Sequence, residues 1–387
     1  MNASAKQRKD STPHKDFLAR DQFQSLFDVL HRQNYKIIGP VIQDGAIVFA
    51  PVNNVSQLAF GVIDTQQPGS YKLIPSDNDR YFEWVCGPQA LKPLLFKPHQ
   101  PLWTCRADDQ QLSFKQHSAE AEALAVIGVR ACDLSALALQ DKHFLHGNYV
   151  DAFYQEQREK MLLIAVNCSR SGEQCFCAST GDGPDISFYY DLRLDELEDG
   201  FLLDSGSESG QQVLQDLPLL PASSAQIEKA QHQIAQAAKQ QTKQIPNNAE
   251  LATLLKLNKS DDWKSVAEHC LACGSCTLVC PTCFCSKQET DTDLSTGQSS
   301  QVRIWDSCFS EEYGHIVGKN YRPEIAARYR QWMLHKLVIW REQYGRSGCV
   351  GCGRCTTWCP AAIDFVEQAK QLIAQVPSDT ENGVNHE

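Results

Sequence analysis

Hydrophobic and polar positions in the first two hundred residues predict helices and strands in alternation. DQFQSLFDVLHRQ places four apolar side chains on one helical face: Phe23, Leu26, Phe27 and Leu30. Asp21 is available as the N-cap of this helix. The next stretch, YKIIGPVIQDGAIVFAPV, is typical of a hairpin, because its Asp-Gly pair suits the positive φ angles of a type I′ turn. Two short apolar runs, 125–130 and 161–167, lie between helical segments and predict a core of parallel strands.

The pattern becomes mainly helical after residue 205. Four residues recur at spacings of three and four before Pro246 and predict a packing helix or a spacer: Ile227, Ala230, Ile234 and Ala237. Further along, PEIAARYRQWMLHKLVIWREQYG predicts a long helix over 323–345. Pro323 suits the first turn of this helix, and Gly345 suits the position just past its end.

Composition narrows the class of protein. The chain has 387 residues and a net charge of -11, which argues against nucleic acid or an anionic membrane as a standing partner. No apolar run approaches the roughly 18 residues of a spanning helix, and the polar start lacks a signal segment, so a cytoplasmic location is expected. Seventeen cysteines in a reducing compartment are not a disulfide framework. Clustered cysteines are typical of metal ligands, whereas the isolated Cys86 and Cys105 are predicted to be small buried hydrophobes.

Two cysteine runs share one spacing, which is that of proteins with paired [4Fe–4S] clusters. The runs are Cys270-x2-Cys273-x2-Cys276-x3-Cys280-Pro281 and Cys349-x2-Cys352-x2-Cys355-x3-Cys359-Pro360. The fourth cysteine of such a run normally binds the other cluster. Cluster A is therefore assigned to Cys270, Cys273, Cys276 and Cys359, and cluster B to Cys349, Cys352, Cys355 and Cys280. Structural zinc also uses Cys-x2-Cys pairs but does not account for two complete runs.

Seven further cysteines are candidates for metal binding. Four lie upstream: Cys132, Cys168, Cys175 and Cys177. Cys132 and Cys168 each follow a predicted strand, and ligands gather at the carboxyl ends of strands in such sheets. The spacing leaves open a third [4Fe–4S] cluster, a zinc site or unliganded core cysteines. The remaining three are Cys283, Cys285 and Cys308. They either hold a further cluster together with another ligand or pack around cluster B.

In combination, these motifs resemble one family. GVRACDLSAL, the NC…CFC segment, CLACGSCTLVCPTCFC, RIWDSCF, RYRQWMLHK and CVGCGRCTTWCP occur in this order in the β subunit of the soluble nickel–iron hydrogenases called sulfhydrogenases. The chain is equally similar to the A subunit of anaerobic sulfite reductase. The resemblance covers about residues 20–370, with a departure at Ala131, where the family usually has proline.

The resemblance implies an electron relay between a flavin-containing, NAD(P)H-reactive subunit and a separate catalytic subunit with nickel–iron or sirohaem. It favours the four upstream cysteines as ligands of a third cluster. No Gly-x-Gly-x-x-Gly fingerprint follows a strand, and no catalytic triad or carboxylate pair stands out. The sequence therefore predicts a subunit of an oxidoreductase without catalytic residues of its own. There are two rival interpretations. One is a structural protein whose clusters only hold its helices together, and the other is a self-sufficient reductase.

The predicted fold class is α+β, with an N-terminal α/β domain followed by an all-helical ferredoxin-type domain that holds two [4Fe–4S] clusters. The helical prediction for the second domain comes from the long insertion between the two cysteine runs. The predicted parts are a disordered tail (1–18), the α/β domain (19–205), a helical spacer (206–259), the ferredoxin-type domain (260–372) and a second tail (373–387).

Overall fold

The computed structural model of the chain describes residues 16–108, 111–118 and 120–376. The strands are β1 (Asp16–Ala19), β2 (Lys36–Gln43), β3 (Ala46–Pro51), β4 (Val62–Gln67), β5 (Ser70–Pro75), β6 (His99–Asp108), β7 (Gln111–Gln116), β8 (Leu124–Val129), β9 (Met161–Val166), β10 (Leu192–Glu196), β11 (Gly200–Ser205), β12 (Leu220–Pro221), β13 (Ser286–Asp293), β14 (Gln298–Trp305), β15 (His315–Ile316) and β16 (Lys319–Asn320). The α-helices are α1 (Gln24–Arg32), α2 (Lys92–Leu95), α3 (Ala131–Phe144), α4 (Ala152–Glu159), α5 (Cys177–Thr180), α6 (Glu208–Gln215), α7 (Ser224–Gln240), α8 (Asn248–Thr253), α9 (Lys264–Ala267), α10 (Ser275–Val279), α11 (Ile325–Leu334), α12 (Trp340–Tyr344), α13 (Arg354–Thr357) and α14 (Phe365–Ala374).

An eight-stranded sheet forms the N-terminal part of the fold, in the order β12-β1-β11-β10-β9-β8-β2-β3. The four central strands, β10, β9, β8 and β2, are parallel to one another, and all pairs outside them are antiparallel. Every residue of β8 and β9 is buried, as expected of parallel strands that are covered on both faces. The predicted parallel core is confirmed.

The first helix and the first hairpin follow the sequence pattern with one exception. α1 packs its predicted apolar face into the core of the sheet. The predicted Asp21 cap is wrong, because Asp21 lies in a 3-10 turn that leads directly into the helix and leaves helical Phe23 at the N-cap position. The turn between β2 and β3 has φ angles of 51° at Asp44 and 74° at Gly45. Positive φ at both positions is the predicted type I′ geometry.

The cysteine-rich C-terminal region is helical except for a long hairpin and the short pair β15-β16, which both lie between the two runs. β13 and β14 pair along their whole length, and β14 also pairs with β6, which gives a four-stranded sheet β13-β14-β6-β7. The prediction of an all-helical domain over 260–372 is therefore wrong at this insertion. The hairpin strands, SKQETDTD and QSSQVRIW, are mostly polar, so they lack the apolar alternation that identifies strands. β13 is largely exposed, and β14 is mostly half-buried.

Several predicted boundaries are also crossed. Residues 16–18, predicted as part of the tail, belong to β1, and β12 lies inside the predicted helical spacer. α14 ends at Ala374, two residues into the predicted C-terminal tail. Residues 1–15 and 377–387 of the predicted tails lie outside the described residues. Within the described ranges, no helix is long and apolar enough to cross a membrane.

The long helix predicted over 323–345 is present and contains an irregular turn. α11 and α12 are joined by a π-helical turn over His335–Ile339, and the helix ends at Gly345, whose φ is 75°. π turns frequently occur at functional sites because the extra residue changes which side chains face inward. Here the turn contains Lys336, which is 4% exposed.

Candidate metal centres

The first group of thiols, group A, lines a recess in the C-terminal region. Its members are Cys270, Cys273, Cys276 and Cys359, and the rest of the wall includes Cys355, Phe309, Tyr329, Trp332, Ile363 and Phe365. The backbone N–H of Ala272 points at Cys270 Sγ at 3.4 Å, and the N–H of Ile363 points at Cys359 Sγ at 3.5 Å. Cys273 is exposed, so group A reaches the protein surface.

The second group, group B, is also built from both runs. Its members are Cys349, Cys352, Cys355 and Cys280. The other three thiols of the group lie close enough to Cys355 to add to the effect of burial, which raises the pKa of Cys355 well above its usual value. Burial raises the pKa of Cys349 to about 12, although the backbone N–H of Gly351 donates to its sulfur. Cys276 of group A also lies close enough to contribute to the raised pKa of Cys355, so the two groups are neighbours.

The two groups fit cationic iron–sulfur cores. Only the thiolate form of cysteine binds metal. The pKa of both Cys276 and Cys355 is raised, mainly by burial and to a smaller extent by the neighbouring thiols. Four thiolates are therefore unfavourable together unless a cation compensates their charge. Across the described part of the chain, no three His, Cys, Asp or Glu side chains close around one point tightly enough for a single metal ion. Two sets of four sulfurs are the ligand complement of two [4Fe–4S] clusters.

A third group of thiols lies where two central strands end. Its members are Cys132, Cys168, Cys175 and Cys177, and all four are buried. Cys132 lies in the first turn of α3, after β8, and Cys168 follows the neighbouring parallel strand β9. Cys177 packs against Cys132 and lies close enough to Cys168 for that thiol to raise its pKa, after the larger effect of burial. The structure thus brings together the four upstream residues that the sequence singled out.

Sequence reasoning missed the position of one further thiol. Cys86 is buried, as predicted, but it packs against Cys175, and its thiol approaches the carbonyl oxygen of Cys352 at 3.6 Å. Cys86 stands alone in FEWVCGPQAL, so no cysteine spacing signals its position. Cys105, also predicted to be buried, is only partly buried on β6.

Comparison with known proteins adds to this geometry. Residues 269–363, which contain every member of groups A and B, match the family described as a 4Fe–4S dicluster domain. Over 254 residues the chain is 33% identical to sulfhydrogenase 2 subunit beta of Pyrococcus furiosus, an alignment that covers 62% of this chain and 72% of the relative. The chain belongs to the sulfhydrogenase β-subunit family. No solved structure matches it.

In this sulfhydrogenase-family chain, two glycines let the third group contact group B. Gly351 and Gly353 have φ angles of 66° and 73°. The N–H of Phe176 donates to the carbonyl oxygen of Gly351 at 2.8 Å. A Cβ on Gly351 would lie 2.5 Å from the backbone nitrogen of Cys177, and one on Gly353 would overlap the carbonyl of Gln174. The loop that carries Cys175 and Cys177 can therefore pack here only because residues 351 and 353 have no Cβ.

Gly351→Ala is expected to displace this loop. Gly345→Ala is the matched control, because Gly345 has a similar positive φ and nothing within 4 Å of an added Cβ. The control should cost about 1–2 kcal/mol of stability for the left-handed backbone alone. Gly351→Ala should cost about 1–3 kcal/mol more from overlap. Denaturant unfolding of both variants measures the difference, and equal losses would contradict the proposed contact.

Two arginines are buried around the third group. The Arg130 guanidinium donates to four backbone carbonyls and lies 4.3 Å from the centre of the Trp84 ring. Arg354 donates to the carbonyl oxygen of Gly87 at 2.9 Å and forms a 2.8 Å ion pair with Asp133, both residues being 2% exposed. These fixed positive charges suit a site where thiolates gather.

Arg354→Met is expected to destabilise the chain by about 3–5 kcal/mol, because it leaves the Asp133 carboxylate buried without its partner. Asp133→Asn/Arg354→Met removes both charges and should recover part of that loss. Denaturant unfolding of the single and double variants measures the pair. A double variant that is no more stable than Arg354→Met would show that the ion pair is not the cause.

Proposed function

We propose that this chain relays electrons between a flavin-containing, NAD(P)H-reactive subunit and the nickel–iron catalytic subunit of a sulfhydrogenase. The observation that carries the proposal is the adjacency of groups A and B, each built from both cysteine runs. The relative from Pyrococcus furiosus is a sulfhydrogenase β subunit, which supports the same role here.

The ligand sets follow the three groups. Cluster A would be held by Cys270, Cys273, Cys276 and Cys359, cluster B by Cys349, Cys352, Cys355 and Cys280, and a third [4Fe–4S] cluster by Cys132, Cys168, Cys175 and Cys177. Bound clusters would supply one-electron chemistry at potentials set by charge, burial and hydrogen bonds. The chain contributes the thiolates, the aromatic wall that excludes water from group A, and the backbone N–H groups directed at sulfur.

The order of the groups suits a relay. Cys177 of the third group lies close enough to Cys352 of group B for that thiol to contribute, after burial and Cys168, to the raised pKa of Cys177. Group B in turn adjoins group A through Cys280 and Cys276. Group A opens to the surface at Cys273. Three neighbouring centres with one end at the surface give electrons a continuous route to a partner subunit.

A redox titration followed by EPR tests the relay. Reversible reduction and reoxidation of the clusters within the range set by NAD(P)H and the catalytic subunit is the expected result. Clusters that never change oxidation state would contradict the proposal and support a purely structural role. The metal of the catalytic subunit that copurifies identifies the reaction: nickel supports the sulfhydrogenase assignment, and sirohaem supports the alternative of an anaerobic sulfite reductase.

A further inference from the structure

The segment that follows α7 crosses the loop that carries two thiols of the third group. We call residues 241–245 the strap; they are extended and belong to neither a helix nor a strand. On one side of the strap, Ala230 of α7 packs against the core of the α/β region, and on the other, Leu251 of α8 belongs to the core of the C-terminal region. The predicted spacer therefore runs directly past the third group.

Polar contacts hold the cysteine loop against the strap and the end of α7. The N–H of Ser171 donates to Gln240 Oε1, at the last residue of α7, at 2.9 Å. Beyond the cysteines, the N–H of Ile245 donates to Ser179 Oγ at 3.1 Å. The strap is thus anchored to the loop on both sides of the two cysteines.

Lys243 extends these contacts to the dicluster domain. Its ammonium group donates to the side-chain oxygen of Gln174, the residue before Cys175, and forms an ion pair with Asp364. The Asp364 carboxylate in turn caps α14 by accepting the backbone N–H groups of its first turn. The strap therefore links the cysteine loop to the helix that follows group A.

Gln241 is the strap residue that contacts sulfur. Its Nε2 group donates to Cys177 Sγ at 3.2 Å and to Ser171 Oγ at 2.9 Å, and its Oε1 accepts from the N–H of Ala178 at 2.9 Å. A backbone N–H can only donate, so the contact with Ala178 fixes the oxygen on that side and turns the NH2 group toward the sulfur. One amide hydrogen of Gln241 is therefore directed at a thiol of the third group.

A hydrogen bond to a ligand sulfur favours the reduced form of an iron–sulfur cluster. Reduction adds one negative charge to the cluster, and the sulfur ligands carry part of that charge. Hydrogen bonds to charged acceptors are stronger than those between neutral groups, so an N–H donor stabilises the reduced state more than the oxidised one. The position of the Gln241 amide is therefore suited to raising a reduction potential.

We propose that Gln241 is a positioning residue of the third cluster, whose amide N–H donates to the Cys177 thiolate and raises the reduction potential of that cluster. The strap holds the amide in place through Ala178 and Ser171. This inference rests on the proposed electron-transfer function. It gives the predicted spacer a part in the relay, because the potential of each centre determines how readily an electron passes through it.

Gln241→Met tests the proposal in the full-length chain reconstituted with iron and sulfide in the absence of oxygen. Methionine has a similar length and no N–H donor, so the equilibrium constant for reduction of the third cluster should fall by up to about tenfold. A redox titration followed by EPR measures this as a more negative midpoint potential, with the iron content unchanged. Gln240→Met is the matched control, because it removes a hydrogen bond to the same loop without touching sulfur. The control should keep the potential of the unmodified chain.

Electron–nuclear double resonance provides a readout that a merely structural role would not move. With glutamine side chains labelled with 15N, the unmodified chain should show coupling of a glutamine nitrogen to the reduced third cluster, and Gln241→Met should lose it. Absence of this coupling from the unmodified chain would overturn the proposal, even where Gln241→Met fails to fold.

The outcomes separate Gln241 from the cluster itself. A third cluster with the same potential in Gln241→Met, or an equal shift in Gln240→Met, would overturn the role of Gln241 and leave the relay in place. An unmodified chain without EPR signals beyond those of clusters A and B would instead refute the third cluster of the proposed function, and the role of Gln241 with it.

Discussion

Cys359→Ser is expected to remove cluster A, although Cys359 belongs to the run that supplies three ligands of cluster B. The side chain of Cys359 lines the recess of Cys270, Cys273 and Cys276. Cys280→Ser should have the mirror effect, because Cys280 lies among the thiols of Cys349, Cys352 and Cys355. Each variant should lose about four iron atoms per chain and one set of EPR signals.

The same two variants should nearly abolish electron transfer through the assembled complex, because each removes a centre from the proposed route. Reduction of the catalytic subunit by NAD(P)H measures this loss, and Cys105→Ser provides the control for replacing a cysteine outside the groups. The crossed assignment would be contradicted if Cys359→Ser lost cluster B or if Cys280→Ser lost cluster A. Transfer at the unmodified rate would contradict the relay.

The sequence was most informative where chemistry depends on spacing. The two complete cysteine runs predict how eight thiols divide between two clusters, because three ligands within seven residues can reach one cluster and the fourth is carried to the other. The apolar runs before Cys132 and Cys168 predicted parallel strands, and the ends of those strands hold both residues together. In each case the signal is local and follows directly from backbone geometry.

Contacts between distant segments escaped sequence reasoning. Lys92 and Lys336 are separated by more than two hundred residues and carry no motif, so only the fold reveals that both face Cys283. Cys86 is hidden for the same reason. The polar hairpin over 286–305 gave no strand signal, because its strands are held by backbone pairing of β13 with β14 and of β14 with β6 and not by an apolar face.

Cys168→Ser/Cys177→Ser is expected to remove about four further iron atoms per chain while clusters A and B keep their EPR signals. The reason is that both thiols lie in the buried group at the ends of β8 and β9, where the positive charge of Arg130 lies near Cys168 and that of Arg354 near Cys132. Iron analysis and EPR of the full-length chain measure the change. The third group lies outside the matched dicluster domain, so this variant tests its metal content independently of the domain match.

Cys86→Ser is the matched control, because Cys86 is a fifth buried thiol in contact with the same group. Five thiols compete for the four ligand positions of a cube, and Cys132 is favoured because it follows β8 directly and packs against Cys177. Cys86→Ser should therefore keep its iron. If Cys86→Ser lost iron and Cys132→Ser retained it, Cys86 would take the place of Cys132 in the ligand set. If Cys168→Ser/Cys177→Ser kept all of its iron, the cysteines of the third group would be core residues without a metal. Arg130 and Arg354 would then only hydrogen-bond to the backbone carbonyls and pair with the carboxylate that they already contact.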